Sequence, residues 1–509
     1  MSDNLYAIIA GHFPAERSTR VMELENDRSL SYGHLEAESG RIARLLVDIG
    51  VVAGDRVAVQ SEKSPQAVFL YLACLRVGAV YLPLNTAYTA SEIAYFLGDA
   101  EPKVFVCRPE SEADLVPLAR TAGVARVLTL GADGAGSLTA TSCGLAPLEG
   151  AVARAKDDVA ALLYTSGTTG RSKGAMLTHG NLASNGLTLV GAWGFTANDC
   201  LLHALPIFHT HGLFVAIHCV LLSGSRMIFL PRFDAKTVLD LLPRATVMMG
   251  VPTFYTRLLA EPKFDAGVAG KLRLFISGSA PLLEETFQHF EARTGQRILE
   301  RYGMTEIGMH CSNPLKGERI AGMVGPPLPG CEVRIADEEG YALPQGEIGT
   351  IEVRGPNVFS GYWRQPEKTA AEFRTDGFFI TGDLGRLTDK GYVQIAGRAK
   401  DLIISGGFNV YPKEVELCID QIPGVEESAV IGLPHPDFGE AVSAVVKCAR
   451  GGSNGISVDT ILAVAKRALA NYKVPKRIFF VEELPRNAMG KVQKNELRER
   501  FKGTFLPRT

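Results

Sequence analysis

The stretch Tyr164-Thr-Ser-Gly-Thr-Thr-Gly-Arg-Ser-Lys-Gly174 decides the reading of this chain. It follows the apolar run Val159-Ala-Ala-Leu-Leu-Tyr164, which has the length and character of a buried strand. Hydroxyls and backbone N–H groups directly after a strand offer donors to an anion. The glycines let the chain curl around it, and Lys173 adds the point charge that a polyphosphate needs. The Gly-x-x-x-x-Gly-Lys-Ser/Thr spacing of a Walker loop is absent. An ordinary Ser/Gly turn is the plain alternative, and the density of hydroxyls, glycines and cations makes it the poorer one.

Outward from this loop, short β-rich runs alternate with longer helical patterns between Arg56 and about residue 310. Arg56–Gln60, Ala79–Leu82, Lys103–Val106, Thr246–Met249 and Leu272–Ile276 read as further strands. Continuous apolar strands between helices predict parallel sheet covered on both faces. From Gly325 to about Ile395 turns become frequent, as at Gly346-Glu-Ile-Gly349 and Asp389-Lys-Gly391, which predicts a distorted antiparallel β-barrel. The last hundred or so residues read as a compact α+β unit. Its strands are Glu427–Gly432 and Ala441–Lys447, its helix is Ile461–Leu469, and its joint lies near Gly397–Asp401. The expected fold class is α/β: a large N-terminal body of parallel-rich sheets and helices with a barrel subdomain, then a small α+β C-terminal domain.

Composition narrows the function. With 53 Lys and Arg against 55 Asp and Glu in 509 residues, the net charge of −2 leaves no basic footprint for nucleic acid. Hydrophobic residues are 46% and charged ones 21%, which supports a large core and excludes wholesale disorder. The nine cysteines show no Cys-x-x-Cys pair and read as free thiols of a reducing compartment. Met1-Ser-Asp-Asn-Leu-Tyr6 lacks a basic region followed by an apolar run, and the most apolar stretch, Ala67–Leu84, is broken by Arg76 and Gly78. A cytoplasmic protein without a membrane span is expected. His209-x-His211 invites zinc, but no thiol or acidic cluster with ligand spacing accompanies it, so neither zinc nor flavin is expected.

Four more segments follow in order: Arg301-Tyr-Gly-Met-Thr-Glu306, Thr381-Gly-Asp383, Gly397-Arg-Ala-Lys-Asp401 and Pro485-Arg-Asn-Ala-Met-Gly-Lys491. Taken singly they are bland. A Thr-Glu pair usually starts a helix, Asp after Gly marks a turn, and Gly-Lys near a C-terminus is solvated surface. Together with the Thr165–Gly174 loop they resemble the superfamily of acyl-CoA synthetases, peptide-synthetase adenylation domains and firefly-type luciferases, over nearly the whole chain. That resemblance implies a body of residues 1–399 for acid and ATP, and a mobile domain of residues 400–509 hinged at Lys400. It implies that Thr165, Ser166, Gly167, Thr168, Thr169, Gly170 and Lys173 hold the ATP phosphates. Ser277, Gly278, Ser279 and Ala280 would line adenine, with Tyr302 stacked on it beside Gly303. Asp383 and Arg398 would hold the ribose, Thr305 the α-phosphate, and Glu306 a Mg²⁺ ion that accompanies ATP. Lys491 would stabilise charge at the α-phosphate, His209 would gate the acyl end, and Gly406 and Gly407 would let a coenzyme A arm pass.

These roles imply a two-step ligase: acid plus ATP gives an acyl-adenylate and pyrophosphate, and a thiol then displaces AMP. Pro252 suits a first helical turn, which puts Thr253 and Arg257 on one helix face, a good site for a second carboxylate. Segments such as Leu82–Tyr88, His203–Gly212 and Phe275–Leu282 resemble the malonate-activating branch of the superfamily. The expected substrates are therefore malonate or methylmalonate, ATP and coenzyme A. Arg257 would bind the distal carboxylate, with Thr253, Ser277 and His209 nearby; from spacing alone, a surface residue or a partner of a protein carboxylate is an equal reading of Arg257. Acylation of Lys491 would remove its charge and is the one modification expected to matter. The alternatives are a ligase for another short acid, an adenylation enzyme that loads a carrier protein, a luciferase-like monooxygenase and a catalytically dead AMP-binding protein.

Overall fold

The computed structural model describes residues 2–25, 27–165, 172–405, 408–449, 456–487 and 490–505. Two large sheets make up the body. The first runs Arg126–Thr129, Val104–Cys107, Arg56–Val59, Val80–Pro83, Val159–Thr165, Lys173–Thr178. Every pair in it is parallel except the last, where Lys173–Thr178 turns back antiparallel on Val159–Thr165. Strands Val80–Pro83 and Val104–Cys107 are buried at every residue, which is why they read as unbroken apolar runs.

Helix Pro65–Val77 shows how local sequence sets the elements. The Ser64 side chain caps its N-terminus by accepting from Ala67 N–H, Pro65 occupies its first turn, and Gly78 ends it with φ at 72°. From Ala67 onward this helix is buried on all sides, which explains the apolar stretch there. Among the described residues no helix is long and apolar enough to cross a membrane.

The second sheet runs Gly308–Ser312, Leu299–Met304, Leu274–Ser277, Val247–Gly250, Cys200–His203, Arg226–Phe229, Arg20–Glu23, Ser29–Ser31. Its middle is parallel and each edge closes with one antiparallel pair.

Residues 332–398 correct one expectation. The strands Glu332–Ala336, Gly349–Arg354, Phe379–Leu387 and Val393–Arg398 form an open antiparallel sheet, and among the described residues its outer strands do not pair with each other to close a barrel. Four strands are too few to enclose a core. This sheet also carries a buried charge: Glu352, fully buried, pairs with Arg334 and Arg374 at 2.7 and 2.8 Å.

Val393–Arg398 leads through the turn Ala399–Asp401, where Lys400 is exposed, into a second antiparallel group. There Val425–His435 pairs with Gly439–Cys448, and Arg477–Val481 lies parallel beside the latter. Helices Pro412–Asp420 and Val458–Ala468 pack their apolar residues into the core of this sheet.

Candidate active site

Strand register gathers the site. Gly250 lies beside Ser277, and Ser277 beside Glu300, so Ser277, Arg301 and Tyr302 meet at the carboxyl ends of the second sheet, where open α/β sheets bind ligands. Thr165 closes the matching end of the first sheet.

One end of the cleft holds a buried guanidinium. Arg301 is only 4% exposed, and its Nε and Nη2 have no partner among the described residues. Burial pushes its guanidinium down to about 9, against the pull of Tyr255 and Glu300. Gly278 makes room for it: a Cβ there would lie 2.3 Å from Arg301 Cζ. The buried Ser277 Oγ, Thr210 Oγ1 and His211 Nε2 are also without partners among the described residues. Burial first, then the Arg301 charge, pushes His209 down to about 4 and His211 well below its usual range, so both imidazoles are neutral at pH 7. Ser279 holds a left-handed φ of 71°, uncommon for a residue with a Cβ, and its Oγ lies 3.2 Å from His211 Nδ1. Gly212 permits the tight start of the π-helical turn His211–Ile217, since a Cβ would meet Pro206 O at 1.9 Å. Buried donors are normally paired, so this group fits an anionic ligand that supplies acceptors.

The other end is already paired. Lys173, buried, reaches Glu372 Oε1 at 3.0 Å and sits 4.1 Å over the Tyr362 ring. The Tyr362 hydroxyl lies 2.6 Å from Glu372 Oε2 and 3.2 Å from Glu306 Oε1, while the Thr165 hydroxyl donates to the same Glu306 oxygen at 3.1 Å. Burial raises the Glu306 carboxyl above its ordinary value. Asp383 accepts from the Tyr302 hydroxyl at 2.6 Å and pairs with Arg398 Nε at 2.8 Å. Two of its lone-pair directions remain for other donors. Tyr302 is thus committed through its hydroxyl to Asp383. Gly303 is required beside it, because a Cβ would fall 2.0 Å from Gly308 O at the bulge between the two strands.

Lys491 comes to this paired end. Its ammonium is pushed down to about 8 by desolvation and by Arg398 and Lys400, with Asp383 and Asp401 pulling it up. It keeps access to water, so the crowding is that of a cleft and not of a core. The preceding Gly490 rests against Thr253 at the start of helix Pro252–Leu259; a Cβ on it would lie 3.3 Å from that side chain. Arg257, one turn along the same helix, is exposed, with no ion pair among the described residues.

The structure therefore brings together Thr165, Lys173, Glu306, Asp383, Arg398 and Lys491 around one cleft end, and Ser277, Gly278, Ser279, His209 and Arg301 around the other. Thr305 and Ala280 are half-buried beside them. Ser166, Gly167, Thr168, Thr169 and Gly170 of the expected phosphate loop, and Gly406 and Gly407 of the expected coenzyme A passage, lie outside the described residues. Sequence reasoning gave no role to Arg301, Glu372 or Tyr362. Arg301 opens a recognised motif, but its burial depends on Gly278 across the sheet.

A fold of this kind with this cleft defines a class: the chain belongs to the family of AMP-binding enzymes. The AMP-binding enzyme family matches residues 10–363, and the AMP-binding enzyme C-terminal domain matches residues 414–491. Among its relatives, the feruloyl-CoA synthase of Amycolatopsis sp is 38% identical, over 93% of this chain and 94% of that protein. The malonate–CoA ligase of Arabidopsis thaliana is 35% identical, over 94% of this chain and 86% of that protein. Among solved structures, ATP-bound MatB from Rhodopseudomonas palustris is 55% identical and superposes with a TM-score of 0.97, covering 99% of this chain and 100% of that one. Apo MatB from the same organism, with the same identity and coverage, superposes with a TM-score of 0.85.

Proposed function

We propose that this protein is an AMP-forming acid–thiol ligase that joins malonate to coenzyme A. The observation that carries the choice of acid is Arg301, a buried guanidinium whose Nε and Nη2 are unpaired, at the acid end of the cleft. A dicarboxylate has one carboxylate to react and a second to satisfy those donors. A hydroxycinnamate, such as the name of the feruloyl-CoA synthase relative implies, would leave a buried charge against an aromatic ring, which is costly. The 55% identity to MatB and the malonate–CoA ligase relative favour the same acid. The exposed Arg257 is the weaker candidate for that second carboxylate, because water screens an exposed ion pair.

In the first step an oxygen of the reacting carboxylate attacks the α-phosphorus, the α–β phosphoanhydride bond breaks, and pyrophosphate leaves. Lys491 and Thr305 stabilise the charge that builds on the α-phosphate oxygens. Lys173 meets the outer phosphates, and Asp383 takes the ribose hydroxyls while Arg398 fixes its orientation. In the second step the coenzyme A thiol gives up its proton to water, its sulfur attacks the acyl carbon, and the bond between that carbon and the phosphate oxygen breaks to release AMP. Glu306 would hold Mg²⁺, which supplies charge neutralisation of the phosphates. A single buried carboxylate fits an ion that takes its other ligands from phosphate and water. The C-terminal domain, residues 400–509, turns at Lys400 between the steps. The gap between the two MatB TM-scores supports such a difference in domain pose. The nine free cysteines accord with a cytoplasmic setting, and acylation of Lys491 would block the first step.

The test is ATP–pyrophosphate exchange with malonate, methylmalonate, acetate, a medium-chain fatty acid and 4-coumarate, followed by thioester formation with free coenzyme A. Exchange with the small dicarboxylates alone is expected. Exchange confined to a monocarboxylate keeps the ligase and rejects malonate, and exchange without free coenzyme A thioester points to a carrier protein as acceptor.

A further inference from the structure

A lysine ammonium on a flexible stem is placed only as well as its backbone is held, and the backbone before Lys491 is held by named side chains. Lys491 N–H donates to Asn487 Oδ1 at 2.9 Å, and Lys491 C=O accepts from Asn487 N–H at 3.0 Å. Gly490, at a left-handed φ of 76°, donates its N–H to Asn487 C=O at 2.9 Å. These bonds are local and would move together with the turn. Leu484 and Val492 on either side pack against the apolar face of the C-terminal sheet, and an Arg486 fork ties the Gly490 carbonyl itself to that sheet. Arg486 Nη1 donates to Gly490 C=O at 2.6 Å, while Nη2 of the same guanidinium pairs with Glu427. Glu427 lies on Val425–His435, a strand laddered along its length to Gly439–Cys448 at the centre of the C-terminal sheet. The pair is shielded, with side chains 28% and 21% exposed. A planar fork suits this task, because two N–H groups in one plane fix the angle between a carboxylate and a carbonyl as a lysine cannot.

We infer that Arg486 is a positioning residue for the first half-reaction, anchoring the Gly490–Lys491 peptide to Glu427 so that Lys491 arrives in register with the α-phosphate. The inference rests on the role proposed above for Lys491, and Lys491→Ala serves as the reference for that role. The experiment measures malonate-dependent ATP–pyrophosphate exchange and, separately, thioester formation from supplied malonyl-adenylate and coenzyme A, in Arg486→Gln, Arg486→Lys and Glu427→Gln. A small misplacement of a reacting group is expected to lower the exchange kcat about 10- to 100-fold. KM for ATP and malonate should stay within about threefold, and thioester formation should be unchanged, because Lys491 serves only the first step. Arg486→Lys should recover part of the loss and Glu427→Gln should lose less than Arg486→Gln. Exchange unchanged in Arg486→Gln, or both half-reactions falling together, overturns the inference and leaves Arg486 a residue of the domain's fold. Exchange that survives in Lys491→Ala sinks the role of Lys491 instead, whatever Arg486 does.

Discussion

Around Thr165 and Lys173 the buried charges are paired within the protein: Lys173 with Glu372, Asp383 with Arg398, and Glu306 with the hydroxyls of Thr165 and Tyr362. At the acid end Arg301 leaves Nε and Nη2 unused, and Ser277, Thr210 and His211 each bury a polar atom without a partner among the described residues. A ligand at the paired end exchanges one set of partners for another, so its binding is buffered by the protein's own network. A ligand at the acid end supplies acceptors that are missing without it. Leaving a buried donor unpaired costs about 1–3 kcal/mol, and more when it is charged. Discrimination should therefore be strongest at the acid end, because a site built to hydrogen-bond a group rejects an analogue lacking it most severely.

Arg301→Met breaks the comparison most directly. Malonate kcat/KM should fall by about 10³ or more, while ATP affinity measured by calorimetry changes little. The same variant should be more stable than the wild type by about 1–3 kcal/mol in denaturant melts, since an unpaired buried charge is replaced by a side chain that needs no partner. Arg257→Met should change malonate KM by less than about threefold, as expected for an exposed charge. A larger loss at Arg257 than at Arg301 would reverse the assignment of the two guanidiniums.

Gly278→Ala reaches the same pocket without touching a charge. Its methyl would lie 2.3 Å from Arg301 Cζ, so the guanidinium must move. A shift of this kind should raise malonate KM about 10- to 100-fold, and the crystal structure of the variant should show Arg301 displaced. An unmoved Arg301 with normal malonate KM would mean that the loop, not the arginine, gives way.

The sequence carried the class and most of the architecture, because both rest on local patterns. Strand Val159–Thr165, the apolar run that becomes helix Pro65–Val77, and the two long strands of the C-terminal sheet all follow from contiguous residues. Strands Cys200–His203 and Arg226–Phe229 were not legible: each is a four-residue run whose period cannot separate a buried strand from a helix turn. The turn-rich segment 325–395 suggested a barrel because turns announce antiparallel pairing and say nothing about closure. The site divides the same way. Arg301 fits in its buried site because Gly278, just past the neighbouring strand, leaves room for its guanidinium, and Lys173 meets Glu372 across 199 residues of chain. Neither contact leaves a mark within its own segment.

The paired end can be probed through pH. With its ammonium pushed down to about 8, Lys491 is charged below that pH and loses its proton as pH rises through it. Exchange should therefore fall about tenfold per pH unit well above 8, with thioester formation from supplied adenylate unaffected. Lys491→Arg, whose side chain stays charged, should remove that limb even if its overall rate is lower. A limb that persists in Lys491→Arg belongs to another group.

The smallest effect on malonate use is expected at the residue next to Arg301, where the consequence is one of stability. Glu300 is buried and points to the other face of its strand; its Oε1 accepts from Leu282 N–H at 3.1 Å and its Oε2 has no partner among the described residues. Burial raises its carboxyl from 4.5 to about 7. The folded state thus binds this proton more tightly than the unfolded chain. The resulting stability is full below pH 4.5 and is lost as pH rises through 7, amounting to about 3 kcal/mol. Glu300→Gln keeps the acceptor for Leu282 and removes the titration. It should melt several degrees higher than the wild type at pH 8.5, and the gain should vanish near pH 4.5. Malonate KM should stay within about twofold, since Glu300 supports the Ser277–Leu282 loop without facing the acid. A sharp rise in malonate KM would mean that the two neighbouring charges act on the acid together, and that the acid end is partly paired after all.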